Sequence, residues 1–198
     1  MEAFLFGTFN PVTNAHVKMG LKAKEVLGDA CRIVYVPAGD DYIRSWKGYK
    51  DGSILSGDIR KPLPEEAVSE YGFMASTVEV MELTDGKTWN TLEYLGSDDS
   101  VLCIGMDNVP EIRKWYRYQD LLAKYRLLIF KRGRYCGRLP DILNESVGYE
   151  IAYLGPEFEQ TSSTLVRNCY VTGRIDEIRN KIPENVFRYL EENKNVYF

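Results

Sequence analysis

The sequence predicts an α/β protein built on a doubly wound parallel sheet, with helices on both faces and a helical C-terminus. Two observations support this prediction. Short runs that are apolar throughout recur along the chain, and strands buried on both faces of a parallel sheet have this composition. Amphipathic helical patterns separate the runs, as expected where helical connections cover the sheet. The length of 198 residues suits one domain, so we expect residues 1–198 to form a single domain.

The individual elements follow from these patterns in chain order. Each predicted strand is an apolar run; the five are Ala3–Phe6, Arg32–Val36, Val101–Ile104, Leu127–Phe130 and Ile151–Leu154. Each predicted helix has apolar residues at helical spacing; the six are His16–Leu27, Ala67–Leu83, Thr91–Leu95, Tyr118–Lys124, Ser162–Tyr170 and Pro183–Glu192. In the first helix, the residues expected to face the core are Val17, Leu21, Ala23 and Leu27.

One segment interrupts the alternation of strands and helices. Residues Ala38–Glu66 are polar, rich in Gly and Pro, and include Lys47. A stretch of this length is usually functional or disordered in a compact domain. We therefore predict a flexible loop at 38–66. Lys47 could reach a phosphate from such a loop, although a solvated lysine is the more ordinary interpretation.

Composition excludes several classes of protein. The chain has 25 basic and 29 acidic side chains and a net charge of −4, whereas a protein that binds nucleic acid mainly by electrostatics carries a basic surplus. Its longest apolar runs are far too short to span a bilayer, and its first residues do not resemble a signal peptide. We expect a cytoplasmic protein without a nucleic-acid or membrane partner; an oligomer is compatible with the sequence.

The cysteines do not indicate a metal site. Cys31, Cys103, Cys136 and Cys169 are far apart, and no two of them form a C-x-x-C pair. A zinc site needs several thiolate or imidazole ligands, and the chain contains a single histidine. In a cytosolic protein we expect reduced thiols that pack as small buried residues.

That single histidine lies at a position suited to phosphate binding. In an open parallel sheet, ligands bind outside the carboxyl ends of the strands, and Phe4–His16 joins the first predicted strand to the first helix. Gly7 permits a tight turn there and Pro11 fixes the backbone. His16 falls in the first helical turn, where unpaired N–H groups and the helix dipole favour anions. A buried histidine that caps a helix is the alternative interpretation.

A second candidate phosphate site lies near the C-terminus. Thr161–Arg167 places four hydroxyl groups ahead of a predicted helix and an arginine in its first turns. Hydroxyls and unpaired N–H groups can bind phosphate oxygens, and the arginine adds a forked, permanently charged donor. An ordinary helix N-cap is the alternative interpretation, since Ser and Thr are favoured at that position.

Both segments resemble signatures of the nucleotidylyltransferase superfamily. The first is similar to G-x-F-x-P-x-[HT]-x-G-H, with Thr13 and His16 at matching positions, Asn10 in place of the usual Asp and Ala15 in place of the usual Gly. The second is similar to [ST]-S-[ST]-x-[IV]-R, by which the superfamily holds the outer phosphates of ATP. Its matching residues are Ser162, Ser163, Thr164 and Arg167.

The middle of the chain narrows the resemblance. Ile104–Asn108, followed by Trp115, resembles the G-x-D-N…W segment of nicotinate/nicotinamide mononucleotide adenylyltransferases. Thr88–Leu92 resembles their [YS]-T-x-D-T-L segment, with Asn90 in place of Asp, and the segment from Gly173 to Leu190 follows their C-terminal pattern.

This resemblance implies a Rossmann-like enzyme that joins ATP to nicotinate mononucleotide and releases pyrophosphate, with Mg²⁺ bound through the ATP phosphates rather than by protein ligands. The implied catalytic residues are His16, Thr13 and Arg167. The implied ATP-binding residues are Gly7, Thr8, Phe9, His16, Ser162, Ser163, Thr164 and Arg167. The implied mononucleotide-binding residues are Lys47, Thr88, Thr91, Asp107 and Trp115.

Two other functions remain open. Thr13-Asn14-x-His16 also resembles pantetheine-phosphate adenylyltransferases, although these enzymes generally lack the G-x-D-N…W segment. A nucleotide-binding regulator that kept the fold but lost turnover is the second alternative, favoured by the departures at Asn10, Ala15 and Asn90.

Overall fold

The protein has a six-stranded, entirely parallel sheet in the order β3-β2-β1-β4-β5-β6. The computed structural model describes residues 1–47, 57–132 and 139–193. The strands are β1 (Glu2–Gly7), β2 (Arg32–Pro37), β3 (Met74–Ala75), β4 (Val101–Gly105), β5 (Arg126–Lys131) and β6 (Tyr149–Tyr153). The five predicted strands are confirmed, and the sequence analysis missed β3, which is only two residues long.

Helices connect the strands. They are α1 (Asn14–Leu27), α2 (Asp40–Lys47), α3 (Gly57–Arg60), α4 (Pro62–Val68), α5 (Thr88–Leu95), α6 (Tyr118–Lys124), α7 (Ser163–Val171) and α8 (Glu184–Glu192). Short 3-10 helices cover Ser69–Tyr71, Met106–Lys114, Asp141–Glu145, Pro156–Phe158 and Ile175–Glu177. No helix of the described ranges is long and apolar enough to cross a membrane.

The sheet reverses its winding at β1. This strand pairs with β2 on one side, where Ala3 lies opposite Ile33, and with β4 on the other, where Ala3 lies opposite Val101. Strands therefore extend from β1 in both directions, and the carboxyl ends of β1 and β4 border a crevice. Gly7 and Gly105 end these two strands.

Both faces of the sheet are covered, as predicted. Side chains of β1 alternate between the faces: Leu5 packs in a core with α1, α4, α7 and α8, whereas Phe4 packs in a second core with α5 and α6. Cys31, Cys103 and Cys169 are buried free thiols, which confirms the prediction for these three. Cys136 lies outside the described residues.

Two helix predictions need correction. The predicted helix Ala67–Leu83 is wrong, because Gly72, at φ 68°, ends the 3-10 turn and the chain then enters β3. In α1, Leu21 is exposed rather than buried. The adjacent Gly20 faces the sheet instead, and a Cβ there would lie 2.4 Å from the Tyr35 hydroxyl.

The predicted loop at 38–66 is also wrong over its described part. That segment contains α2, α3 and the start of α4; residues 48–56 lie outside the described ranges. Its polar composition concealed one buried anchor, because Arg60 is fully buried and donates hydrogen bonds to main-chain carbonyls of two other segments. The prediction of a single domain over 1–198 stays a prediction.

Candidate active site

A cavity of about 310 Å³ opens at the crevice between the ends of β1 and β4, and we call it the His16 cavity. The loop after β1 contributes Gly7, Thr8 and Phe9, and the start of α1 contributes His16. The start of α7 contributes Ser162, Ser163, Thr164 and Arg167. The first turns of two helices thus border the same space, and helix N-termini attract anions.

The backbone fixes the tautomer of His16. The Thr13 backbone N–H donates to Nδ1 of His16 over 3.0 Å, and a backbone N–H can only donate. The Nδ1 atom is therefore an acceptor, and we assign the proton of the neutral ring to Nε2. The ring also meets Phe9 edge to face, with centroids 5.2 Å apart. His16 thus presents an N–H donor from a ring that its neighbours hold in place.

Thr13 lies behind His16. Its side chain is fully buried, and its hydroxyl oxygen is 3.0 Å from Nδ1 of His16. Thr13 does not line the cavity, so the geometry makes it a positioning residue for the imidazole rather than a group that contacts a ligand.

The loop after β1 is tightly packed. A Cβ at Gly7 would lie 2.9 Å from the Phe9 ring, and Phe9 itself has φ 47° and is buried. Because Gly7 has no Cβ, the Phe9 ring can pack against the end of β1. The main chain of this loop therefore has little freedom next to the cavity.

The structure brings the two candidate phosphate segments together. Arg167 donates from Nη1 to the Asn10 carbonyl over 2.7 Å, across 157 positions in sequence. Ser163 donates from its hydroxyl to the Pro11 carbonyl, also over 2.7 Å. Ser162 accepts from the Leu165 N–H and caps α7. The structure thus assembles one site from both ends of the chain.

Asp107 lies in the His16 cavity and not with the other predicted mononucleotide residues. It follows the end of β4, which neighbours β1, so sheet topology places it near His16. Its Oδ2 is 3.5 Å from Nη2 of Arg132, a residue that the sequence analysis missed. Both residues also line an adjoining cavity of about 490 Å³, together with Phe130.

Trp115 and Thr88 line a separate cavity of about 890 Å³, which we call the Trp115 cavity. Trp115 is half-buried beside the second core. Tyr42 and Tyr116 add aromatic surface to the wall. An aromatic wall of this kind suits a flat ring, particularly one that carries positive charge.

Thr91 lies beneath that wall. It is fully buried and donates from its hydroxyl to Oε1 of Glu79 over 2.7 Å. Glu79, which the sequence analysis missed, lines the cavity and is 2% exposed. The pKa of Glu79 is raised to about 7, because the effect of burial exceeds the opposing effect of the hydrogen bonds from Thr91 and the Gly39 backbone.

Lys47 is the last residue of α2, and its side chain lies outside the described part of the structure. Within the described residues, no three His, Cys, Asp or Glu side chains form a cluster that could hold a metal ion. Hydroxyls, two helix N-termini and Arg167 line the His16 cavity instead.

A family model and full-length relatives both match this chain. The family model described as cytidylyltransferase-like matches residues 4–169. A protein named "Probable nicotinate-nucleotide adenylyltransferase" from Clostridium acetobutylicum is 25% identical over 202 residues, which cover 98% of this chain and 97% of the relative. A protein of the same name from Clostridium kluyveri is 26% identical, covering 99% of this chain and 98% of the relative.

Solved structures agree with the fold. Plasmodium falciparum nicotinic acid mononucleotide adenylyltransferase complexed with APC has a TM-score of 0.75 at 16% identity, covering 98% of this chain and 96% of that chain. The same enzyme complexed with NaAD has a TM-score of 0.72 at 18% identity, covering 100% of this chain and 98% of that chain. At these identities the likeness establishes the Rossmann-like fold.

Proposed function

The chain belongs to the cytidylyltransferase-like family, and on that premise we propose that it transfers the adenylyl group of ATP to nicotinate mononucleotide, giving nicotinate adenine dinucleotide and pyrophosphate. The observation that carries this proposal is the pair of bonds from Arg167 and Ser163 to the carbonyls of Asn10 and Pro11. These bonds join two phosphate-binding segments around His16. Full-length relatives named as nicotinate-nucleotide adenylyltransferases support the substrate.

ATP would occupy the His16 cavity and the cavity adjoining it. The N-terminus of α7, with the hydroxyl of Thr164, faces the outer phosphates, while the Ser163 hydroxyl holds the start of α7 against the loop after β1. Arg167 adds a planar cationic fork at the same place. Asp107 and Phe130, shared by the two cavities, would contact the ribose and the base. The role of Asp107 thus moves from the mononucleotide to ATP.

Nicotinate mononucleotide would place its pyridine ring in the Trp115 cavity. The ring is cationic in this nucleotide, so the face of Trp115 adds cation–π attraction to stacking. Thr88 at the start of α5 would donate to the ring carboxylate. Thr91 and Glu79 would act indirectly by holding the wall.

The reaction needs alignment rather than a protein nucleophile. An oxygen of the mononucleotide phosphate attacks the α-phosphorus of ATP, and the bond from that phosphorus to the oxygen bridging to the β-phosphate breaks, so its electron pair leaves with pyrophosphate. The attacking phosphate is already ionised at neutral pH and needs no general base. His16 donates from Nε2 to a phosphate oxygen as charge develops, and Arg167 stabilises the departing pyrophosphate.

Mg²⁺ would be held mainly by ATP phosphate oxygens and water. The donors around the described His16 cavity fit this arrangement, because Asp107 supplies a single carboxylate there and already lies against Arg132. When bound, the ion neutralises charge on the triphosphate. A cytoplasmic location also stays a prediction.

Pyrophosphate release tests the proposal. The protein would be mixed with ATP, Mg²⁺ and, in separate reactions, nicotinate mononucleotide, nicotinamide mononucleotide and 4′-phosphopantetheine. We expect release with nicotinate mononucleotide. Release with phosphopantetheine alone would favour the related adenylyltransferase, and no release with any acceptor, despite ATP binding, would favour a regulator.

A further inference from the structure

We propose that Arg60 is a positioning residue that sets the spacing between the His16 cavity and the Trp115 cavity. The inference rests on the proposed function, in which one substrate lies in each cavity. Arg60 touches neither substrate in this account. It acts through the main chain of the two loops that carry the cavity walls.

Arg60 is buried in an unusual place for a charge. It ends the short helix α3, inside the segment expected from sequence to be a loop, and its side chain is 0% exposed. Taking a guanidinium out of water is costly unless its donors are satisfied. Burial lowers the pKa of Arg60, whereas the bond and the charge of Asp40 raise it. Because breaking these hydrogen bonds would leave a buried charge without partners, Arg60 holds the segments that it bonds to in fixed positions.

The acceptors of Arg60 belong to two different loops. Its Nη1 donates to the carbonyl of Thr8, in the loop after β1, over 3.0 Å. Its Nη2 donates to the carbonyl of Ala38, in the turn after β2, over 2.8 Å, and to Oδ1 of Asp40 over 2.5 Å. One planar guanidinium thus joins the carboxyl ends of two adjacent strands.

Each of these loops forms a wall of a different cavity. Thr8 lines the His16 cavity, and Asp40 and Gly39 line the Trp115 cavity. Asp40 also accepts the Gly57 N–H at its second oxygen over 2.8 Å, which fixes the start of the helix that carries Arg60. Asp40 therefore holds both the guanidinium of Arg60 and the backbone of the helix that carries it.

The connection continues to the far wall of the Trp115 cavity. Gly39 packs against Glu79 so closely that a Cβ would lie 2.5 Å from the Glu79 carbonyl oxygen. Glu79 in turn accepts the Thr91 hydroxyl on α5, the helix that begins with Thr88. Hydrogen bonds and close packing thus run from the loop after β1, through Arg60 and Gly39, to Glu79 and helix α5.

The spacing matters because adenylyl transfer joins two bound molecules. The attacking oxygen and the α-phosphorus must come within about 3–3.5 Å in line, and a misplacement of about 1 Å can cost about 10²-fold in rate. Loosening Arg60 would leave each cavity able to bind its own substrate. The loss would appear when both cavities must be engaged together.

Arg60→Lys tests this role. Lysine keeps the charge but replaces the planar fork by a single ammonium group, which cannot match the positions of the three acceptors. We expect kcat to fall by about 10- to 100-fold, while KM for ATP and for the mononucleotide each change by less than about threefold. Binding of the dinucleotide product, which spans both cavities, should weaken by about tenfold or more.

Leu63→Ala is the matched control. Leu63 lies in α4, is 0% exposed and lines neither cavity, so its truncation lowers stability through lost packing alone. Both variants would be assayed below their unfolding temperatures. Wild-type kcat together with unchanged dinucleotide affinity in Arg60→Lys would overturn the inference. A kcat loss in Leu63→Ala that equals the loss in Arg60→Lys would also overturn it.

Asp40→Asn decides the question if Arg60→Lys does not fold. It removes the anionic partner of Arg60 and keeps one acceptor oxygen, so that only one of the bonds from Arg60 and the Gly57 N–H can remain. We expect a smaller kcat loss, with substrate affinities little changed, and an unchanged kcat would overturn the inference. Failure of the wild-type protein to form a dinucleotide from any pyridine mononucleotide would instead reject the proposed function.

Discussion

The His16 cavity and the Trp115 cavity are built in different ways. The His16 cavity is lined by two continuous segments, the loop leading into α1 and the start of α7, together with residues at the ends of β4 and β5. The side-chain bonds that join the two segments end on main-chain carbonyls. The Trp115 cavity is lined by three separate stretches of the chain, which include Gly39, Thr88 and Trp115. Its wall depends on the buried carboxyl of Glu79.

This difference teaches where tolerance to substitution should lie. At the His16 cavity the side chains of Arg167 and Ser163 hold the two segments together, and His16 and Arg167 contact the reacting phosphates in the proposed reaction, so substitutions there should lower kcat. The Trp115 cavity depends on its side chains throughout, so substitutions there should change binding of one substrate. The following predictions test that division.

The largest expected effect is that of His16→Ala. Removing the Nε2–H donor should lower kcat by about 10²–10⁴-fold, the range for loss of a positioned donor to a transition state. Steady-state kinetics of a variant shown to be folded would measure it. Lys18→Ala is the control, because Lys18 lies two residues after His16 in α1 and does not line the His16 cavity. Unchanged turnover in folded His16→Ala would remove His16 from the mechanism.

Arg167→Lys should have the next largest effect. The planar fork can grip two phosphate oxygens as pyrophosphate leaves, and lysine cannot, so kcat should fall by about tenfold and KM for ATP should rise. ATP would be varied at saturating mononucleotide. Arg174→Lys, which alters an exposed ion pair with Glu177, should change neither constant appreciably. Wild-type constants for Arg167→Lys would reject the α7 start as the triphosphate site.

Trp115→Ala should act on one substrate only. We expect KM for the mononucleotide to rise by an amount that corresponds to about 1–3 kcal/mol, the usual value for base–aromatic stacking, while KM for ATP changes little. Trp115→Phe keeps an aromatic face and should recover most of the affinity. An equal rise in both KM values would mean that Trp115 supports the fold rather than the ligand.

The effect of Glu79 should be seen in stability. Its pKa is about 7 in the folded protein and near 4.5 when unfolded, so between these values the folded state holds the extra proton and stability falls as pH rises. Between pH 5 and pH 8, Tm of the wild type should drop by about 5–10 °C more than Tm of Glu79→Gln, equivalent to about 2.5 kcal/mol. Parallel Tm curves would contradict the buried, protonated carboxyl.

Prediction from the sequence succeeded where a signal was local. Apolar runs located β1, β2, β4, β5 and β6, and the hydroxyl-rich stretch at Thr161–Thr164 located the start of α7. The reason is that a strand, a cap or a phosphate loop is determined by residues close together in the chain.

Prediction failed where position depends on packing between distant segments. Asp107 was grouped with Trp115 because both match the G-x-D-N…W segment, whereas the order of β1 and β4 places Asp107 near His16. Arg60 and Glu79 are charged residues in polar stretches, and nothing local shows that each is buried. Arg44 and Arg60 both lie in the polar segment 38–66. The sequence does not single out Arg60 as the buried residue of the two.

In the proposed function, one active site that spans both cavities joins ATP to nicotinate mononucleotide by adenylyl transfer. The most direct measurement follows ATP labelled at the α-phosphate or, separately, at the γ-phosphate in a reaction with nicotinate mononucleotide. The account predicts that the α label enters nicotinate adenine dinucleotide and the γ label enters pyrophosphate, and that His16→Ala slows both equally. Label in ADP or AMP without any dinucleotide would contradict it.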